Sequence, residues 1–238
     1  MQFICAYYIV IRGSGLVRVP EMTMTNKDAR LKIPAACKRH RSSRDRRGTV
    51  QVDLASLRAI DHACQGCTKD EKCCCATYEV CVTTREMNRI IGLLPEVARL
   101  CPHLGADEGY DNVFEEVGPG LFAIDTTEEG LCLFAYVSRG KLRCSLHTVG
   151  LNLGIPLDHV KPKACLLWPM TFSEGEELLS LTGDALSFSC NSRKGRPSRR
   201  LCSSFVEAIE LVYGEAASAL VKTEAGKGAR DMILHRRF

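Results

Sequence analysis

The spacing of apolar positions changes several times along this chain. After Thr83, Met87, Ile90, Ile91 and Leu94 recur at intervals of three and four, which predicts a helix with one buried face. Thr83 followed three residues later by Glu86 predicts a capping box at its start. Pro95 ends or kinks that run, and Val97, Leu100 and Leu104 continue its apolar content. An acidic, Gly-rich stretch at 105–130 encloses a predicted strand at Leu121–Ile124. Residues 131–137 predict another strand, with Ser138-Arg139-Gly140-Lys141 as its turn. Residues 144–153 predict a short helix closed by Gly154 and Pro156, and 178–182 a further strand. Cys202, Phe205, Ile209, Leu211 and Val212 supply the apolar faces of a last helix, which Ser198 would cap and Gly214 would end. The polar residues 223–238 read as a frayed tail. Helices and strands do not alternate as in a βαβ fold, so the predicted class is α+β. The picture is a small irregular domain with a few helices and short antiparallel strands.

Charge divides the chain in two. Residues 1–49 hold 11 Lys/Arg and 3 Asp/Glu, a net of +8, whereas the rest holds 21 and 25, a net of −4. The basic run at 38–47 has no apolar periodicity and reads as a solvated, disordered leader. Met22 and Met24 offer later starts within it. The folded body is then residues 50–222, and its mild acidity argues against nucleic acid as its partner, because phosphate contacts need clustered Lys/Arg. No stretch approaches the roughly 20 apolar residues of a membrane span. Residues 4–11 are apolar but lack the flanks of a secretory signal, which makes a reducing cytoplasm the expected setting.

That setting decides how the cysteines are read. There are 14, and five of them, Cys64, Cys67, Cys73, Cys74 and Cys75, fall within twelve residues. In a cytoplasmic protein such density points to metal ligation more than to disulfides. Thiolates are soft anionic donors that suit zinc and iron. Cys64 and Cys67 have the C-x2-C spacing of a chelating turn, with Gly66 easing it. Three adjacent cysteines are not expected to reach one ion together, so one or two of Cys73, Cys74 and Cys75 would close the site. Cys132, Cys144, His147, Cys165 and Cys190 supply further donors. Cys144 and His147 stand at i and i+3, on one face if their turn is helical. Cys165 lies between Pro162 and Pro169 and beside Trp168, a stiff segment suited to a fixed ligand. Cys81, Cys101 and Cys202 fit apolar faces and read as core.

Taken in order, these motifs resemble the YkgJ-like cysteine-cluster family, whose members are described as zinc- or iron-chelating proteins. The resemblance runs over about residues 60–215. It is carried by Cys64-x2-Cys67, the cysteine pair within 73–75, the Thr83-x-x-Glu86 helix start, and Cys132-Leu133-Phe134. Cys144-Ser145-Leu146-His147 and Lys161-Pro162-Lys163-Ala164-Cys165-Leu166-Leu167-Trp168-Pro169 complete it. The chain departs from the family in its longer spacer between Cys67 and Cys73 and in its third adjacent cysteine. The resemblance implies a metal-organised domain with zinc or iron, or an iron–sulfur cluster, held by the 64–75 loop together with Cys144 and Cys165. It implies no settled reaction. An iron–sulfur centre supporting redox or group-transfer chemistry and a disulfide-stapled or redox-active interaction domain are the alternatives. A phosphate loop is excluded, because Gly118-Pro119-Gly120 and Gly13-Ser14-Gly15 lack the following Lys-Ser/Thr.

Overall fold

The structure is a computed structural model that describes residues 9–11, 15–17, 49–68, 70–104, 110, 113–172, 178–196 and 198–235. In chain order its elements begin with β1 (Ile9–Ile11), β2 (Gly15–Val17), β3 (Thr49–Val52), α1 (Leu54–Arg58) and β4 (Ile60–His62). Then follow α2 (Cys74–Thr77), β5 (Cys81–Thr83), α3 (Thr84–Ile91), α4 (Leu94–Ala98), β6 (Phe114–Gly118) and β7 (Leu121–Ile124). The second half holds β8 (Ala135–Ser138), β9 (Lys141–Cys144), α5 (Ser145–Leu153), α6 (Leu157–Val160), α7 (Lys163–Leu167), β10 (Met170–Phe172) and β11 (Leu178–Leu181). It ends with β12 (Asn191–Arg193), α8 (Ser203–Tyr213), α9 (Glu215–Lys227) and β13 (Met232–His235). The class is α+β, with short strands in several small, mostly antiparallel sheets.

Two hydrophobic cores organise these pieces. In the first, the sheet β10-β11-β3-β13 supplies Val50, Val52, Leu179 and Leu234. Phe205 and Ile209 of α8 and Val221 and Ala225 of α9 cover it, each side chain at the core fully or nearly fully buried. In the second, Val82, Phe114, Phe122 and Ile124 of the sheet β5-β7-β6 pack on Met87, Ile90, Leu94 and Val97 from α3 and α4 and on Leu146 and Val149 from α5. Removing such surface from water is the main stabilising term, at about 25 cal/mol per Å².

The expected helix at Thr83 starts with its capping box: Glu86 N–H donates to Thr83 Oγ1 at 3.3 Å, and Thr83 N–H donates to Glu86 Oε2 at 2.9 Å. Glu86 does more than the sequence suggested. It is buried, and its other oxygen, Oε1, accepts the Lys163 backbone N–H at 2.9 Å. One carboxylate therefore ties the start of α3 to the start of α7, the short helix that carries Cys165. Glu86→Ala leaves the Thr83 and Lys163 amides without their partner and is expected to lower the unfolding free energy by about 3 kcal/mol. A urea midpoint equal to that of the unmodified protein would refute this role.

Several boundaries differ from the sequence reading. Residues 131–137 are not one strand, because β8 begins only at Ala135 and Cys132 bridges back to Thr126. Ser198 caps no helix: α8 starts at Ser203 with Cys202 at its N-cap. It is also not the last helix, since Gly214 turns the chain directly into α9. Residues 224–235 are no frayed tail. α9 runs on to Lys227, and β13 pairs with β3 in the register Met232↔Val52 and Leu234↔Val50. A strand with alternate residues buried (Met232 and Leu234 in, Ile233 out) was too short to register as a pattern. The basic run 38–47 lies outside the described residues, whereas β1 and β2 of the leader form an antiparallel hairpin.

Candidate metal centre

The loop between β4 and β5 carries five thiols, and the backbone of the second half holds it in place. Leu142 N–H donates to Cys67 C=O at 2.7 Å, Cys132 N–H to Cys75 C=O at 2.8 Å, and Ala63 N–H to Cys190 C=O at 2.9 Å. Gly66 makes the first of these contacts feasible. Its φ is +81°, and a Cβ there would meet Leu142 O at 3.0 Å. Three hydrogen bonds thus bring the loop against the segments that bear Cys132, Cys144 and Cys190.

Cys73 is the N-cap of α2, and the single turn that follows gathers its neighbours. The Sγ atoms of Cys73, Cys74 and Cys75 all lie within 4.8 Å of one another. A tetrahedral zinc with sulfur at 2.3 Å separates its ligands by roughly 3.8 Å. The expectation that three adjacent cysteines cannot converge is therefore corrected: the backbone passes from extended at Cys73 into a helical turn at Cys74, and the three sulfurs stay within reach of one another. Cys73 is buried and the other two are half-buried.

The remaining candidates cluster around this trio. The Cys67 thiol is within hydrogen-bonding reach of Cys73 and close to Cys64 and Cys190. Cys144 caps the N-terminus of α5, and Cys165 lies in α7. Cys165 interacts electrostatically with Cys144, Cys74 with Cys165, and Cys132 with both Cys165 and Cys144. Of the seven sequence candidates, Cys73, Cys74 and Cys75 have sulfurs that all lie within 4.8 Å of one another; Cys64, Cys67, Cys144 and Cys165 stand around them and, among the described residues, form no second such group. His147 is half-buried in α5, and burial lowers its pKa. Cys101 is fully buried and reads as core, as expected. Among the described cysteines, the eleven other than Cys81 are free thiols.

Crowding sets the protonation pattern. Hydrogen bonds from Cys74 and Cys75 hold the Cys73 thiol far below its usual pKa. The two donors are pushed up in turn. Burial, and then the charge on Cys73, push Cys67 up to about 12. Burial likewise pushes Cys165 up to about 12, partly offset by Lys161. Lys161 was read from the sequence only as part of a stiff Pro-flanked segment. It sits within range of Cys144, Cys165, Cys64 and Cys74, and their charge outweighs its burial and raises its pKa. A Lys four residues before a candidate ligand was the only sequence signal for it.

A thiol set of this kind fits a soft divalent ion: three sulfurs converge, and the pKa of one of them, Cys73, is lowered by its neighbours. A pocket of about 360 Å³, lined by Cys64, Cys67, Cys190, Glu71, Lys141 and Ser192 among others, opens the cluster to solvent. His62 Nδ1–H donates to Asn191 Oδ1 at 2.7 Å, and Asn191 Nδ2 donates to Ala185 C=O at 2.7 Å. Burial lowers the His62 pKa, and the ring stacks on Phe205. No helix among the described residues is long and apolar enough to cross a membrane. No family model matches the chain, and neither does any curated protein or solved structure.

Proposed function

We propose that the chain is a metal-binding cysteine-cluster protein of the YkgJ-like kind, working in a reducing cytoplasm. The observation that carries this reading is the convergence of Cys73, Cys74 and Cys75 within 4.8 Å, at the centre of a wider group of free thiols. The resemblance adds Cys64, Cys67, Cys144 and Cys165 as ligands, and the backbone hydrogen bonds from Leu142 to Cys67 and from Cys132 to Cys75, which hold the loop against the second half, support that reading. The bound species is zinc or iron, because both accept sulfur-rich sets. The metal would supply a cross-link between the loop and the second half. The chain's own residues hold it: Glu86 fixes α7 and with it Cys165, Gly66 lets the loop approach β9, and Lys161 balances thiolate charge. The number of available sulfurs also favours a second reading, an iron–sulfur cluster held by the same residues.

Anaerobic purification followed by elemental analysis tests both. About one or more zinc per colourless chain is the result expected of the first reading. Iron with acid-labile sulfide and broad visible absorption is expected of the second. Protein that stays metal-free after incubation with either ion refutes the proposal.

A further inference from the structure

The body beyond residue 49 is acidic as a whole, but one stretch of it is not. Between β12 and α8, residues 193–200 hold Arg193, Lys194, Arg196, Arg199 and Arg200 and no Asp or Glu. Hydrogen bonds fix this stretch against the fold. Lys194 N–H donates to the Ala59 carbonyl at 2.9 Å, and Lys194 Nζ donates to the Arg200 carbonyl, also at 2.9 Å. Arg200 N–H donates to Ser198 Oγ at 3.0 Å. The Lys194 side chain is mostly covered and pairs with Asp61 at 3.4 Å. It closes the loop on itself, and its own charge is met there. Arg193, Arg196, Arg199 and Arg200 are left exposed, and among the described residues none of them forms an ion pair.

A fifth guanidinium comes from a remote part of the chain. Arg58, the last residue of α1, donates from Nη1 to the Ala225 carbonyl of α9 at 3.1 Å. A Cβ on Gly228 would lie 3.9 Å from Arg199 Nε and 4.0 Å from Arg58 Nη1, so both side chains reach the same point. Like Arg199, Arg58 forms no ion pair among the described residues. Two neighbouring guanidinium groups without a carboxylate repel one another, and an anion between them offsets that cost.

The composition of this surface narrows the partner. Arginine presents a planar fork of donors that matches phosphate oxygens two at a time. None of the large exposed apolar side chains lies within residues 193–200 or 225–230. A protein partner's hot spot and a membrane-lying segment both need such an apolar anchor. Arginines without one fit a partner that binds through its charge, and a chain of phosphodiesters is that partner. We propose that Arg193, Arg196, Arg199 and Arg200, with Arg58, form a face that docks the phosphate backbone of a nucleic acid without reading its sequence. The face is independent of the thiols and of any metal they hold.

Anisotropy titrations of the full, nuclease-treated chain with a labelled single-stranded RNA, and with DNA of the same sequence, test this at several salt concentrations. Saturable binding of either is expected, with log K falling linearly against log salt at a slope of about −3, as for about four phosphates. Replacing Arg193, Arg196, Arg199 and Arg200 together by Gln should weaken binding more than about tenfold and flatten the slope. Arg85→Gln, at an exposed position of α3, should change neither. Failure of both oligonucleotides to bind overturns the proposal, as does binding only to vesicles of anionic lipid. An unchanged slope in the fourfold variant also overturns it, since the basic leader would then carry the binding. If that variant does not fold, Arg199→Gln decides: a slope as steep as that of the unmodified chain refutes the face.

Discussion

Replacing Cys73 by serine is expected to remove at least one metal equivalent per chain. Cys73 is the residue of choice because two features meet in it. It is the buried member of the trio, and it is the thiol whose pKa the other two lower by hydrogen bonding. The thiolate, not the thiol, is the ligand, so Cys73 is poised to take up metal before its neighbours lose their protons. Serine is nearly isosteric but does not replace sulfur in the ligand sets that zinc or iron adopt. The loss should exceed the roughly 10–100-fold weakening that follows removal of an outer partner. Cys101→Ala is the control. That thiol is equally buried, but it lies in the second core with its Sγ 4.0 Å from the Ala135 carbonyl oxygen. Metal content measured by elemental analysis should be unchanged there. Full occupancy in Cys73→Ser would remove the trio from the site.

Stripping the metal with a strong chelator is expected to lower the unfolding free energy by about 4 kcal/mol, for metal present at about 1,000 times its dissociation constant. The loss should not be uniform. α2 buries none of its own residues, so beyond its cap Cys73 and the tethers that flanking Lys72 and Tyr78 make to Asp184, it contributes little packing of its own. Three backbone hydrogen bonds, from Leu142, Cys132 and Ala63, attach the 63–75 region to the rest. Without metal, its cross-link between the loop and the second half is lost. The four-stranded sheet is different: Val50, Val52, Leu179 and Phe205 are almost wholly buried and owe nothing to the thiols. Hydrogen exchange should therefore show amides 63–78 losing protection on chelation while those of β3 and α8 keep it. Equal protection in both regions with and without chelator would show that the cluster contributes nothing to the fold.

The capping box at Thr83, the glycine stop after Leu153 and the strand Leu121–Ile124 were legible because each rests on residues near in sequence. Where the reading failed, partners were remote. β13 owes its existence to β3, some 180 residues earlier, and a strand of four residues carries no periodic signal of its own. Glu86 was legible as a helix cap and not as the anchor of α7, since its second partner, Lys163, is 77 residues away. The hairpin turn before Lys141 was readable from Ser138-Arg139-Gly140, whereas the boundary at Cys132 was set by a bridge to Thr126.

What the sequence by itself determined is the chemistry: many thiols, a chelating C-x2-C turn, and an ordered set of cysteine motifs that resembles a zinc- or iron-chelating family. Donor type is a property of the residues and survives any fold. Only the tertiary structure decided which of those donors meet. It curled Cys73, Cys74 and Cys75 onto one side, brought Cys190 beside Cys64, and set Lys161 among the sulfurs. The physical reason is that ligand geometry depends on backbone contacts between segments far apart in the chain. Spacing along the chain does not encode them, while hydrogen bonds such as Cys132 N–H to Cys75 C=O do.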